Sequence, residues 1–143
     1  MLGYVVVFHI MQVWNTRSTF FAVFFSVNAF FFKLYGSSKS DIEKNLITVN
    51  WLPNHGGKKL QFNKNENAAI QLQKVSDELD RLPEEYMKYL KNPAGTYYYR
   101  KIAGTERLSA HSYGIAIDLD THYSRYWRWD KTYTFHNDIP KVI

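Results

Sequence analysis

Residues 109–118 read Ser109-Ala110-His111-Ser112-Tyr113-Gly114-Ile115-Ala116-Ile117-Asp118, a histidine-bearing bend feeding an alternating apolar run. Taken as a strand, Gly114 to Asp120 points Ile115, Ile117 and Leu119 to one face. Gly114, Ala116, Asp118 and Asp120 then point to the other, because successive strand side chains alternate. The isoleucines anchor the reverse side in a core, and the small residues at 114 and 116 leave room above the strand beside Asp118. His111 lies just before the strand, where a bend swings its imidazole over the same face.

The chain contains no cysteine, so there is neither a disulfide framework nor a thiolate site, and any metal must be held by His, Asp or Glu. His111 and Asp118 are therefore a candidate nitrogen and oxygen pair for zinc. His122, on a continued strand, lies about 13 Å from Asp118 and is too far to share one ion. It reads as an exposed histidine. His136 has no adjoining acid, although Asp138 is nearby, His55 sits in the turn Asn54-His55-Gly56-Gly57, and His9 falls in an apolar leader.

Outward from this motif the chain punctuates clearly. Asn92 to Gly95 is a turn, and Thr96 to Ile102 is expected as an aromatic strand with Tyr98 and Arg100 on one face. Upstream, Ile70, Leu72, Val75, Leu79 and Leu82 recur at mostly three- and four-residue intervals, predicting a helix from Asn67 onward with Asp77, Glu78 and Asp80 on its solvated side. Pro83 opens a further helix in which Tyr86, Met87, Tyr89 and Leu90 are core. Leu46 to Trp51 is β-rich and stopped by Pro53 and Gly56-Gly57, with Lys59 to Asn63 returning as its partner. Asp41 is the expected cap of a short helical turn. At the other end, Ile139-Pro140-Lys141-Val142-Ile143 reads as the opening of a helix.

At 143 residues with 45% hydrophobic content the chain suits one small domain. Much of the apolar content lies in the first 35 residues. Thr19 to Ala29 has signal-peptide length, follows Arg17 and ends in small residues, so residues 1–29 read as a signal peptide or a membrane-anchoring segment, with 30–143 as the domain. The implied location is exported, periplasmic or cell envelope. Eighteen Lys and Arg against thirteen Asp and Glu give +5, a mild excess that favours anionic partners. The lysines are scattered rather than clustered, so nucleic-acid binding is not expected. Trp127, Trp129, Tyr123 and Tyr126 read as sheet packing ahead of a substrate groove.

The string Ser-x-His-x-x-Gly-x-Ala-x-Asp, complete at Ser109, His111, Gly114, Ala116 and Asp118, resembles the signature of the M15 zinc peptidases, the D-alanyl-D-alanine carboxypeptidase and endolysin type. The likeness runs from about Tyr35 onward through NLITVNWLP (45–53), NPAGTYYYRKIAGTERLSAHSYGIAIDLD (92–120) and YWRWD (126–130). It implies an α+β fold of the DD-peptidase/hedgehog-like kind, with a small central antiparallel sheet and flanking helices. It also implies His111 and Asp118 as zinc ligands and Ser109 and Arg100 as substrate-binding residues, with Arg107 as a competitor for the latter role. Peptidoglycan stem peptides are the implied substrates. A second histidine and the catalytic general acid/base are expected beyond Ile143, so the domain reads as C-terminally incomplete. The rival reading is a non-catalytic cell-wall peptide-binding module.

Overall fold

Leu46–Trp51 (β1) and Lys58–Asn63 (β2) form an antiparallel pair in the register Leu46↔Asn63 to Trp51↔Lys58. The computed structural model describes residues 29–123 and 139–143, and among these β1 and β2 form the one sheet. The proposed leader therefore lies outside the described residues except for Ala29, which opens a helical stretch over 29–35. Lys39–Glu43 (α1), Ala68–Leu79 (α2) and Glu84–Leu90 (α3) complete the regular elements, a small α+β arrangement.

A two-stranded ribbon is marginal alone in water and needs a layer against it. Val49, Trp51, Leu60 and Phe62 bury one face of the ribbon with Ala69, Leu72, Leu79, Met87 and Leu90. The indole Nε1–H of Trp51 donates to the Leu90 carbonyl at 2.9 Å, fastening α3 to β1. The outer edge of β1 is closed by side chains. The Asn50 amide donates to Gln73 Oε1 and the Gln73 amide donates back to the Asn50 carbonyl, both at 2.9 Å. A helix side chain thus blocks an edge that would otherwise pair with another strand.

The buried arc of α2 is Ala69, Leu72, Ser76 and Leu79, shifted from the expected stripe. Ile70 is exposed, because it lies about 200° around the helix from Leu72. Val75 is half-buried, and Ser76 takes the inner position because its hydroxyl has work there. It accepts from the Leu52 amide at 2.8 Å and donates to the Asn50 carbonyl. Leu52 itself sits at φ 50°, a left-handed conformation costly for a leucine, and is fully enclosed. Its carbonyl accepts from both His55 and Gly57 amides, which holds the turn against that strain.

Asp80, expected on the solvated face, is buried. It lies just past the end of α2, where the helix delivers it into the turn after β1. Its carboxylate accepts from the Asn54 amide at 2.9 Å, the Asn54 side chain at 2.7 Å and His55 Nδ1 at 2.7 Å. Smaller corrections concern the ends of elements. Ser38, not Asp41, caps α1, its hydroxyl accepting from the Asp41 amide. Pro83 is the residue before the first turn of α3 rather than its first residue. Residues 139–143 make a turn in place of the expected helical opening, with the Ile143 amide donating to the Pro140 carbonyl at 3.0 Å. That turn folds the half-buried Ile143 side chain onto the main core.

A second cluster, Ile42, Tyr113 and Ile115, is roofed by Phe31 and Tyr35 of the 29–35 stretch. Between the two clusters stands Asn63, fully buried. Its side-chain amide donates to the Tyr35 and Tyr113 carbonyls, and its own N–H donates to the Gly114 carbonyl at 2.8 Å. Asn63 ties the end of β2 to the 109–118 motif.

Removing the Asp80 carboxylate by Asp80→Ala leaves three donors without their acceptor, and a loss of about 2 kcal/mol in urea unfolding is expected. Burial pushes the Asp80 pKa up, but the bonds from His55 and Asn54 outweigh it and hold it below the usual carboxylate value. That contribution is present above about pH 3.9 and is lost as pH falls through the depressed native value. The acid limb of the stability profile should therefore be shallower in Asp80→Ala; an unchanged limb would contradict the clamp.

Candidate metal and peptide site

The 109–118 motif folds as a short 3₁₀ turn, Ala110–Tyr113, entered at Ser109 and left at Gly114. The Ser109 hydroxyl accepts from the His111 amide and caps the turn. Gly114 sits at φ +66°, and a Cβ there would lie 2.6 Å from the Leu46 side chain. The left-handed backbone there strains any side chain, and the tip of Leu46 would also have to shift, so the position favours glycine.

Beyond Gly114 no strand ladder forms. Residues 114–120 run irregularly, with an isolated antiparallel bridge between Gly95 and Asp118, and 96–102 is likewise not a regular strand, being bridged at Lys101 to Leu108. The expected pair of strands is thus replaced by segments held at single points. The alternation nonetheless survives: Ile115 enters the second cluster, Ile117 and Leu119 lean on the main core, and Asp118 faces out. Gly114 does not clear the face beside Asp118 as expected, since it is pressed against Leu46 and Asn63. The small residues beside the carboxylate are instead Ala94 and Gly95.

His111 and Asp118 meet. Nε2 of His111 is 3.2 Å from Oδ2 of Asp118, with the imidazole mostly enclosed and the carboxylate 60% exposed. Nδ1 of His111 lies 2.8 Å from the Thr96 carbonyl. A carbonyl only accepts, so Nδ1 must carry the hydrogen in that bond. In the neutral ring this leaves the Nε2 lone pair aimed at a carboxylate oxygen, two acceptors facing each other, and a cation is needed between or upon them. A proton serves; so does a metal ion, and a metal-binding imidazole commonly has its other nitrogen anchored in this way. The donor set therefore fits zinc on this side, with a nitrogen and an oxygen ligand. Among the described residues no group of three His, Asp or Glu converges. His122 is 91% exposed and lies 3.9 Å from Asp120, away from the pair, while His136 lies outside the described residues.

Asp118 and His111 form one end of a cleft of about 280 Å³ also lined by Gly95, Thr96, Tyr98 and Arg100. The positive charge of Arg100 reaches both members of the pair, disfavouring the charged imidazole and favouring the carboxylate. Ser109, by contrast, is buried beneath the turn as its cap and is not part of the cleft wall. Among the described residues Asp118 is the one carboxylate side chain in that wall, and its oxygen is committed to His111. Among the described residues no second carboxylate lines that wall to act as a general acid/base. Three contributors escaped the sequence reading. Thr96 acts through its carbonyl, which no side-chain pattern encodes. Ser112 and Asn63 act by hydrogen bonding from buried positions, and a polar residue at a buried position carries no periodicity signal.

Residues 103–141 match the family model described as D-alanyl-D-alanine carboxypeptidase, of the M15 peptidases. This stretch is similar to M15 peptidase sequence. The match covers well under half of the chain and contains the whole 109–118 motif, whereas Arg100 and Thr96 precede it. Comparison with curated proteins and with solved structures gave no match.

His111 and Asp118 stabilise each other's charged forms. The hydrogen bond to Asp118 raises the His111 pKa above its ordinary value, outweighing burial, and the same bond holds Asp118 below its own. For His111 the stabilisation is complete below about pH 6.5 and lost as pH rises through the raised native value. For Asp118 it is present above about pH 3.9 and lost as pH falls through the depressed one. In metal-free protein, an NMR titration should place the His111 midpoint above that of an exposed histidine, and Asp118→Asn should lower it. An unmoved midpoint would show that the two groups do not interact.

Proposed function

We propose that the chain is a zinc-dependent peptidase acting on peptidoglycan stem peptides, with His111 and Asp118 holding the ion and Arg100 holding a substrate carboxylate. The observation that carries this reading is the opposed pair of acceptors, His111 Nε2 and Asp118 Oδ2, at 3.2 Å with Nδ1 already committed. The M15 match supports the reaction class. Zinc, when bound, supplies Lewis-acid polarisation of the scissile carbonyl and an activated water.

The chain's own residues supply positioning. Thr96 fixes the imidazole rotamer through Nδ1, so that Nε2 presents its lone pair without a search over ring orientations. Arg100 lines the same cleft, and a guanidinium suits a peptide carboxylate because its planar fork donates two parallel charge-assisted bonds. Ala94 and Gly95 keep the wall next to Asp118 low, leaving space for a small side chain such as that of alanine. Export to the cell envelope belongs to this reading, since that is where stem peptides are found.

A second reading, a non-catalytic module that binds the same peptides, is favoured by one observation: among the described residues no third His, Asp or Glu joins His111 and Asp118. Two ligands hold zinc weakly compared with a closed site.

Incubating the zinc-supplemented chain with a peptide ending in D-alanyl-D-alanine separates the two. The peptidase reading predicts release of D-alanine that falls at least roughly 100-fold in His111→Ala, as expected when a metal ligand is removed. Peptide binding without release, unaffected by His111→Ala, would favour the binding module. Neither binding nor release would sink both.

A further inference from the structure

Arg100 and His111 belong to different segments, and among the described residues no regular ladder joins those segments. Besides backbone bonds at single points, one buried side-chain hydroxyl joins them. Ser112, fully buried, accepts from the Arg100 amide at 2.8 Å and donates to the Arg100 carbonyl at 2.6 Å, with the Tyr98 carbonyl a more distant acceptor at 3.3 Å. The side chain therefore occupies the place a neighbouring strand's backbone would take, satisfying donor and acceptor of one residue together. The Ser109 amide also reaches the Arg100 carbonyl, at 3.0 Å, and the Tyr98 amide reaches the His111 carbonyl at 3.1 Å.

We propose that Ser112 is a positioning residue that sets the Arg100 guanidinium at its working distance from the His111–Asp118 pair. This rests on the reading of the cleft as a peptide site, and it adds the residue that decides whether the site recognises a carboxylate. Ser112 touches neither ion nor peptide. It acts through the Arg100 backbone, because it is the adjoining neighbour of His111 in the turn and so refers Arg100 to the same rigid unit. Replacing the hydroxyl frees the Arg100 amide and leaves the Arg100 carbonyl to the Ser109 amide alone, which loosens the hold of the turn on Arg100.

The test uses the full chain and two probes, acetyl-D-alanyl-D-alanine and its C-terminal amide, together with amide hydrogen exchange read at Arg100. In Ser112→Ala the Arg100 amide should exchange faster, and the preference for the acid over the amide should fall by about tenfold, the size of a lost charge-assisted hydrogen bond. Ser112→Thr, which keeps the hydroxyl, should restore both. Arg100→Ala should abolish the preference, and adding Ser112→Ala to it should change nothing further. Protection at Arg100 that survives in Ser112→Ala overturns the assignment, as does a preference retained by that variant. A parent chain with no preference for the acid, yet with Arg100 exchange quickened by Ser112→Ala, overturns the peptide reading of the cleft and leaves the hold of Ser112 on Arg100 standing.

Discussion

The hydrogen bond between His111 Nδ1 and the Thr96 carbonyl is the constraint on which the site depends. It decides the tautomer, and the tautomer decides that Nε2 presents a lone pair rather than a hydrogen to Asp118. Without that commitment the neutral imidazole could simply donate its Nε2 hydrogen to the carboxylate, and no cation would be called for. With it, two acceptors share a space that only a cation can occupy comfortably. Everything nearby serves to keep Thr96, His111 and Asp118 in that relation: the Ser109 cap, the left-handed Gly114, the Gly95–Asp118 bridge and the Asn63 tie to β2.

The fold supports this relation economically. A two-stranded ribbon, closed along one edge by Gln73 and pinned to α3 through Trp51, presents Asn63 at the end of β2. From there the motif is hung by hydrogen bonds rather than by a continuing sheet. Such a design makes single buried polar side chains unusually consequential, since each replaces several ladder bonds. Asn63, Ser76, Asp80 and Ser112 all belong to this class.

The hairpin, both longer helices and the meeting of His111 with Asp118 were legible in the sequence. Each rests on a local signal: β-rich runs stopped by Pro53 and Gly56-Gly57, apolar recurrence at three and four, and alternation after Gly114. Misplaced features share a different physics. Asp80 looks solvated by composition, yet hydrogen bonds from a turn distant in sequence make its burial favourable. Residues 96–102 and 114–120 have strand composition, but single bridges and side-chain hydroxyls take the place of a ladder there. The role expected of Gly114, clearing space for a ligand, belongs to Gly95, and the motif glycine answers instead to a left-handed backbone at φ +66°. A pattern can report that a residue must be small without reporting which neighbour makes it so.

The most direct measurement of the central claim is the ¹⁵N chemical shift of the two His111 ring nitrogens before and after zinc is added to labelled protein. The account predicts a zinc-dependent change at Nε2 while Nδ1 keeps its hydrogen throughout. Metal bound through Nδ1, or a His111 ring indifferent to zinc, would contradict it.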